Sequence, residues 1–120
     1  MNTLIVDDEP LARRELKRLL APFSWLHVVG EAADIDEAHE RIVALHPALI
    51  FLDVQMPGTN GLTLQAELAK SGPGIPVIIM TALGSEATRD TAIRQGAVAY
   101  IEKPIRVEAL LKAVRQATEH

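Results

Sequence analysis

Five short apolar runs alternate with amphipathic stretches along this chain, and that alternation constrains the fold more than any other feature. Thr3-Leu4-Ile5-Val6 is a compact β-type run that stops at Asp7-Asp8. Pro10 suits the first turn of a helix, Leu11, Leu16, Leu19 and Leu20 recur at helical spacing, and Pro22 ends that segment. Leu26-His27-Val28-Val29 reads as a second strand closed by Gly30. Asp34 or Asp36 can cap a second helix with Ala38, Ile42 and Leu45 on its inner side, and His46-Pro47 stops it. Leu49-Ile50-Phe51-Leu52, the most apolar run, ends at Asp53. Pro57-Gly58-Thr59-Asn60-Gly61 is a turn and a fresh helix start, Leu62, Leu64 and Leu68 continue the helix, and Gly72-Pro73-Gly74 breaks it. Pro76-Val77-Ile78-Ile79-Met80 is a fourth strand, Ser85 can cap a fourth helix ending at Gly96, and Val98-Ala99-Tyr100-Ile101 is a fifth strand. Apolar residues at 107, 110, 111 and 114 mark a last helix, from about 107 to 117.

Alternation of this kind predicts a single α/β domain over residues 1–120, with a doubly wound five-stranded parallel sheet and helices on both faces. Strands 1, 3 and 4 are almost wholly apolar, as central buried strands are. The second strand carries His27 and belongs at an edge. The order 2-1-3-4-5 satisfies both, with right-handed crossovers dividing the helices between the faces of this flavodoxin-like (βα)5 arrangement.

Composition narrows the function classes. At 120 residues and 48% hydrophobic, the chain can bury a core, built from Leu, Ile, Val and Ala because aromatics are only 3%. A formal charge of −4 gives no basic face for direct nucleic-acid binding. Arg13, Arg14, Lys17 and Arg18, with Glu15 among them, read as a solvated helix face. Cysteine is absent, so there is no disulfide framework. No apolar run approaches the roughly 20 residues of a membrane helix, no signal peptide is visible, and the expected location is cytoplasmic. The four histidines (27, 39, 46 and 120) match no metal-ligand pattern and read as solvent-facing.

In such sheets, sites form at the carboxyl ends of the strands, near the reversal of strand order. Strand 1 ends in Asp7-Asp8, strand 3 in Asp53 and strand 4 in Thr81, and Lys103-Pro104 closely follows strand 5. Converging carboxylates repel unless their pKa values rise or a cation compensates. Hard oxygen donors at this density suit Mg²⁺, and lysine and threonine add a mobile point charge and a hydroxyl. Together they form an apparatus for phosphoryl transfer onto a carboxylate. Each residue also has a plainer reading: Asp8 as a helix cap, Asp53 as a turn residue, Thr81 as a cap, Lys103 as a surface lysine and Tyr100 as a strand aromatic. Their joint placement favours the site.

At these residues the sequence resembles the receiver domains of bacterial response regulators. The matching stretches are Leu4-Ile5-Val6-Asp7-Asp8-Glu9-Pro10, Phe51-Leu52-Asp53-Val54-Gln55-Met56-Pro57-Gly58, Met80-Thr81-Ala82, Gly96-Ala97 and Tyr100-Ile101-Glu102-Lys103-Pro104. The likeness covers essentially the whole chain. It implies a phosphorylation-dependent switch of a two-component system and not a turnover enzyme. Asp53 matches the phosphorylated aspartate. Asp7 and Asp8 match the acid pair that, with Asp53 and the main-chain carbonyl of Gln55, holds Mg²⁺, with Mn²⁺ able to substitute. Thr81 and Lys103 match the hydroxyl and lysine that aid the transfer, and the resemblance implies a cis Lys103–Pro104 bond. Thr81 and Tyr100 match the switch pair. The phosphodonor would be a sensor histidine kinase or a phosphotransfer protein. Helix 4, strand 5 and helix 5 would receive a downstream protein or a second copy in a homodimer.

Asn60 stands where an aspartate is common in the family, and the resemblance implies that Gln55 and Leu83 flank the path of attacking water, which bears on the lifetime of the phosphoryl group. The early part resembles receivers joined to LytTR-type DNA-binding domains. Two readings of the output stay open: a stand-alone receiver that binds a protein, or the receiver part of a longer regulator. Two rival functions are weaker. A flavodoxin-like small-ligand module needs a Ser/Thr/Gly-rich loop where Asp7-Asp8-Glu9 stands, and an aspartyl-phosphate hydrolase needs a cap for its substrate.

Overall fold

The computed structural model describes residues 1–56, 59–70, 74–82 and 86–119. Its main sheet has five parallel strands: β1 (Asn2–Val6), β2 (His27–Ala32), β3 (Leu49–Asp53), β4 (Val77–Thr81) and β5 (Ala99–Glu102), in the order β2-β1-β3-β4-β5. Five helices connect or follow them: α1 (Pro10–Leu20), α2 (Ile35–Leu45), α3 (Gly61–Lys70), α4 (Glu86–Arg94) and α5 (Val107–Glu119). The expected fold class and strand order hold.

Side-chain alternation along the strands divides the core in two. Ile5, Leu49, Phe51, Ile78, Met80 and Ile101 pack with Leu16 and Leu20 of α1 and Leu110 and Val114 of α5. Leu4, Val6, Ile50, Leu52 and Ile79 pack on the other face with Ala38 of α2, Leu64 of α3 and Ala92 of α4. The three central strands are buried at every position except Asn2, because helices cover both of their faces.

Local chemistry explains the element ends. Pro10 begins α1. Asp34 is the cap chosen for α2, its carboxylate accepting from the Glu37 N–H at 2.8 Å. His46 ends α2 in the left-handed region at φ 46°, its N–H donating to the Ile42 carbonyl before Pro47. Gly96, at φ 98°, supplies the positive dihedral that turns the chain from α4 toward β5.

Several expectations change. Gly30 does not close β2: it pairs with Leu4 just after a register shift in β1, and the strand runs on to Ala32. Leu11 is 73% exposed, since it lies five residues before Leu16 and hence about 140° around the helix from the buried stripe. Val107 also faces outward, with Leu110, Ala113, Val114 and Ala117 making the inner face of α5. A short antiparallel ribbon, Gln55–Met56 against Thr59–Asn60, follows β3 and was not foreseen. Pro57, Gly58, Gly72, Pro73, Leu83, Ser85 and His120 lie outside the described residues, as do the readings placed on them. His27, His39 and His46 are exposed as expected.

Candidate functional site

The carboxyl ends of β1, β3 and β4 and the segment after β5 meet at one spot. β1 delivers Asp7, buried at 1% exposure, and the half-buried Asp8. β3 delivers Asp53, 2% exposed. One carboxylate oxygen from each of Asp7, Asp8 and Asp53 lies within 4.8 Å of the others. Lys103 reaches in from the far side of β4: its Nζ donates to Asp7 Oδ2 at 2.6 Å and to Asp53 Oδ2 at 3.2 Å. The Lys103 N–H bonds the Thr81 carbonyl at 2.8 Å, which continues the ladder past β5 and fixes where that lysine starts. The Lys103–Pro104 peptide is cis.

The main chain holds the carboxylates as well. The Gln55 N–H donates to Asp53 Oδ1 at 2.9 Å, and the Glu9 N–H donates to Asp7 Oδ1 at 3.0 Å. The residue at the N-cap of α1 is Glu9, which makes no side-chain cap bond, so Asp8 is not spent as a helix cap. Burial, aided by the neighbouring Asp7 charge, pushes the Asp53 carboxyl up to about 6 against the pull of the Gln55 N–H and Lys103. For Lys103, burial disfavours the ammonium, but the Asp7 and Asp53 carboxylates outweigh it and hold the pKa above the ordinary value.

Within the cluster, three carboxylates face one ammonium. That surplus of hard, negative oxygen donors suits a small divalent cation, with Asp7, Asp8 and Asp53 as its holders. Thr81 is fully buried at the end of β4. Tyr100 stands further from the charges, half-buried on β5. In the β4–β5 register Tyr100 lies opposite Ile79, and Thr81 is two residues on from Ile79, so Tyr100 and Thr81 share one face of the sheet. The Tyr100 hydroxyl is buried and has no hydrogen-bond partner among the described residues.

Sequence reasoning missed two supports. Gly61 begins α3 against the backbone of the phosphoacceptor candidate: a Cβ there would lie 2.6 Å from the Asp53 carbonyl oxygen and 2.7 Å from Val54 Cα. The glycine was legible only as a turn residue. Arg13 is the second. Read as part of a solvated face, it is instead 16% exposed in its side chain, pairs with Glu31 at 3.0 Å and donates to the Asp7 carbonyl. Lys17 joins it on Glu31, while Arg18 pairs with Glu15 in the open, as a solvated face would.

The chain is similar to known proteins over nearly its full length. The family model for the response regulator receiver domain matches residues 3–115. A positive alginate biosynthesis regulatory protein from Pseudomonas aeruginosa is 40% identical over 119 residues, which cover 98% of this chain and 47% of that protein. The response regulator domain of Thermotoga maritima CheB superposes with a TM-score of 0.88 at 34% identity, covering 100% of this chain and 97% of that one. A CheX–CheY–BeF3–Mg²⁺ complex from Borrelia burgdorferi matches with a TM-score of 0.90 at 26% identity, covering 98% of this chain and 89% of that one. The chain belongs to the response regulator receiver domain family of two-component signalling. It spans about half the length of the curated relatives it matches. Receiver domains are signalling proteins that bind Mg²⁺ in an acidic pocket and work with histidine kinases or phosphotransfer proteins and with output domains. Among the described residues, no helix is long and apolar enough to cross a membrane.

Proposed function

We propose that this receiver accepts a phosphoryl group on Asp53 and so switches a downstream partner. The observation that carries the reading is the buried Asp53 carboxylate, held at the sheet's carboxyl edge beside Asp7 and Asp8 with the Lys103 ammonium on its Oδ2. An Asp53 oxygen forms the new O–P bond as the bond from phosphorus to the donor's nitrogen or oxygen breaks. The donor leaves with that electron pair, a histidine ring as neutral imidazole with a proton from solvent and acetyl phosphate as the acetate anion. Mg²⁺, held by Asp7, Asp8, Asp53 and the Gln55 carbonyl, would supply charge neutralisation on the phosphoryl oxygens. Lys103 releases one of its carboxylates and contacts the phosphoryl group, and the Thr81 hydroxyl donates to it.

A sensor histidine kinase or phosphotransfer protein in the cytoplasm is the donor on this reading, and self-catalysed phosphorylation and dephosphorylation are the most this domain does by itself. Incubation with acetyl phosphate and Mg²⁺ adds one phosphate to the intact mass, and Asp53→Asn removes that adduct. Undiminished labelling of Asp53→Asn would overturn the assignment.

A further inference from the structure

Among the described residues, Arg13 and Glu31 bond neither Asp53 nor Lys103, yet Arg13 ties both to the main chain of the acid pair. The α1 helix starts after Glu9, so Arg13 lies on its first turns, close above the end of β1. One guanidinium nitrogen, Nη1, donates to the Asp7 main-chain carbonyl at 2.5 Å, and Nε donates to Glu31 Oε1 at 3.0 Å. Glu31 sits on β2 opposite Ile5 of β1. Its second oxygen takes the Lys17 ammonium at 2.9 Å, and this hydrogen bond, with that from Arg13, keeps the Glu31 carboxylate below its ordinary pKa. Arg13 is thus stretched between two fixed acceptors, a use of the guanidinium fork that a lysine's single point charge cannot copy.

The consequence falls on one peptide. The Asp7 N–H is bonded to the Ala32 carbonyl at 3.0 Å, and the Asp7 side chain to the Glu9 N–H. The Asp7 carbonyl belongs to the peptide that joins Asp7 to Asp8. Fixing that oxygen fixes the plane of the peptide and the direction in which Asp8 leaves it. We infer that Arg13 is a positioning residue for the acid pair, oriented by Glu31, and that it presets Asp8 for a divalent cation. The inference rests on the proposed reading of the acidic site.

Sign separates this role from plain charge. Arg13 is a cation near a cation site, so electrostatics alone makes Mg²⁺ bind more tightly when it is removed. Positioning makes it bind more weakly, by roughly tenfold or more, as losses of outer-shell partners do. Mg²⁺ titrations followed by amide NMR on the full chain test this for Arg13→Ala, Arg13→Lys and Glu31→Gln, with Arg18→Ala as a control of equal charge change. Circular dichroism reports whether each is folded, and the Lys and Gln variants are mild enough to keep the core intact. The expected result is a raised Mg²⁺ dissociation constant for Arg13→Ala and Arg13→Lys and a smaller rise for Glu31→Gln. Arg18→Ala is unchanged. In metal-free Arg13→Ala the Asp8 amide signal moves. Tighter or unchanged binding in Arg13→Ala, or full retention in Arg13→Lys, overturns the inference while leaving the Asp53 reading standing. Failure of the wild-type chain to bind Mg²⁺ at all overturns the reading beneath it.

Discussion

At the scale of the residue, Asp53 is held against its own preference. Its carboxyl is raised from 3.8 to about 6, first by burial and then by the charge of Asp7. A folded-state pKa above the unfolded one means the native state binds the extra proton between those two values. Stability therefore falls as pH rises from about 4 to about 6, and the deficit is full above that window. A shift of this size corresponds to about 1–3 kcal/mol for the metal-free protein. Asp53→Asn, which cannot ionise, is expected to melt higher than the wild type at pH 7 without metal, and the advantage closes as the pH approaches 4. Thermal denaturation across that range measures it, and equal melting at pH 7 would remove burial as the source of the shift. Lys103 limits the deficit, since its ammonium stays charged beside both acids.

At the scale of the element, α3 and α4 are joined by side-chain amides as well as by apolar packing. Gln65 of α3 is 2% exposed; its Nε2 donates to the Ala92 carbonyl of α4 at 2.8 Å, and its Oε1 accepts from Gln95 Nε2 at 2.8 Å. Gln95 also reaches the Leu62 carbonyl at 3.1 Å. The bonds fasten the carboxyl-terminal end of α4. Gln65→Ala removes one buried and one partly buried hydrogen bond and leaves a small void, a cost of about 1–3 kcal/mol. Glu67→Ala, two residues along the same helix but solvent-facing, costs much less even though it breaks an exposed pair with His39. Urea denaturation of the two variants compares them, and similar midpoints would show that the amide bonds contribute little.

At the scale of the molecule, the proposed switch needs a route from the charge cluster to a surface. Thr81 and Tyr100 lie on the same face of β4 and β5, and the buried Tyr100 hydroxyl lacks a partner among the described residues. Beside Tyr100 is an open groove of about 520 Å³ between α4 and α5, lined among others by Arg89, Glu102 and Lys112. On the proposed reading, phosphorylation shifts a population between two arrangements of Thr81 and Tyr100, and α4, β5 and α5 present the changed surface to a partner or a second copy. Beryllofluoride with Mg²⁺ is expected to move amide signals from Asp53 through Thr81 and across residues 86–106. Changes confined to the loops around Asp8 and Asp53 would exclude this route.

The order of strands and helices, the carboxyl-edge location of Asp7, Asp8, Asp53, Thr81 and Lys103, and the central place of β1, β3 and β4 were legible in the sequence. Those features follow from local periodicity and from the rule that parallel strands all end on the same side. Other features depend on how distant segments meet. Lys103 Nζ joins residues 96 and 50 positions away, Arg13 crosses to Glu31 on the next strand, and Gly61 is required because the backbone after Asp53 passes too close for a Cβ. Leu11 looked like part of a core stripe until the docking of α1 set which face was inward. Sequence patterns report what each segment can bury. Only the packing of segments against one another decides which polar atoms come within 3 Å, and hence which charged side chain on a helix is solvated and which one holds the acid pair in place.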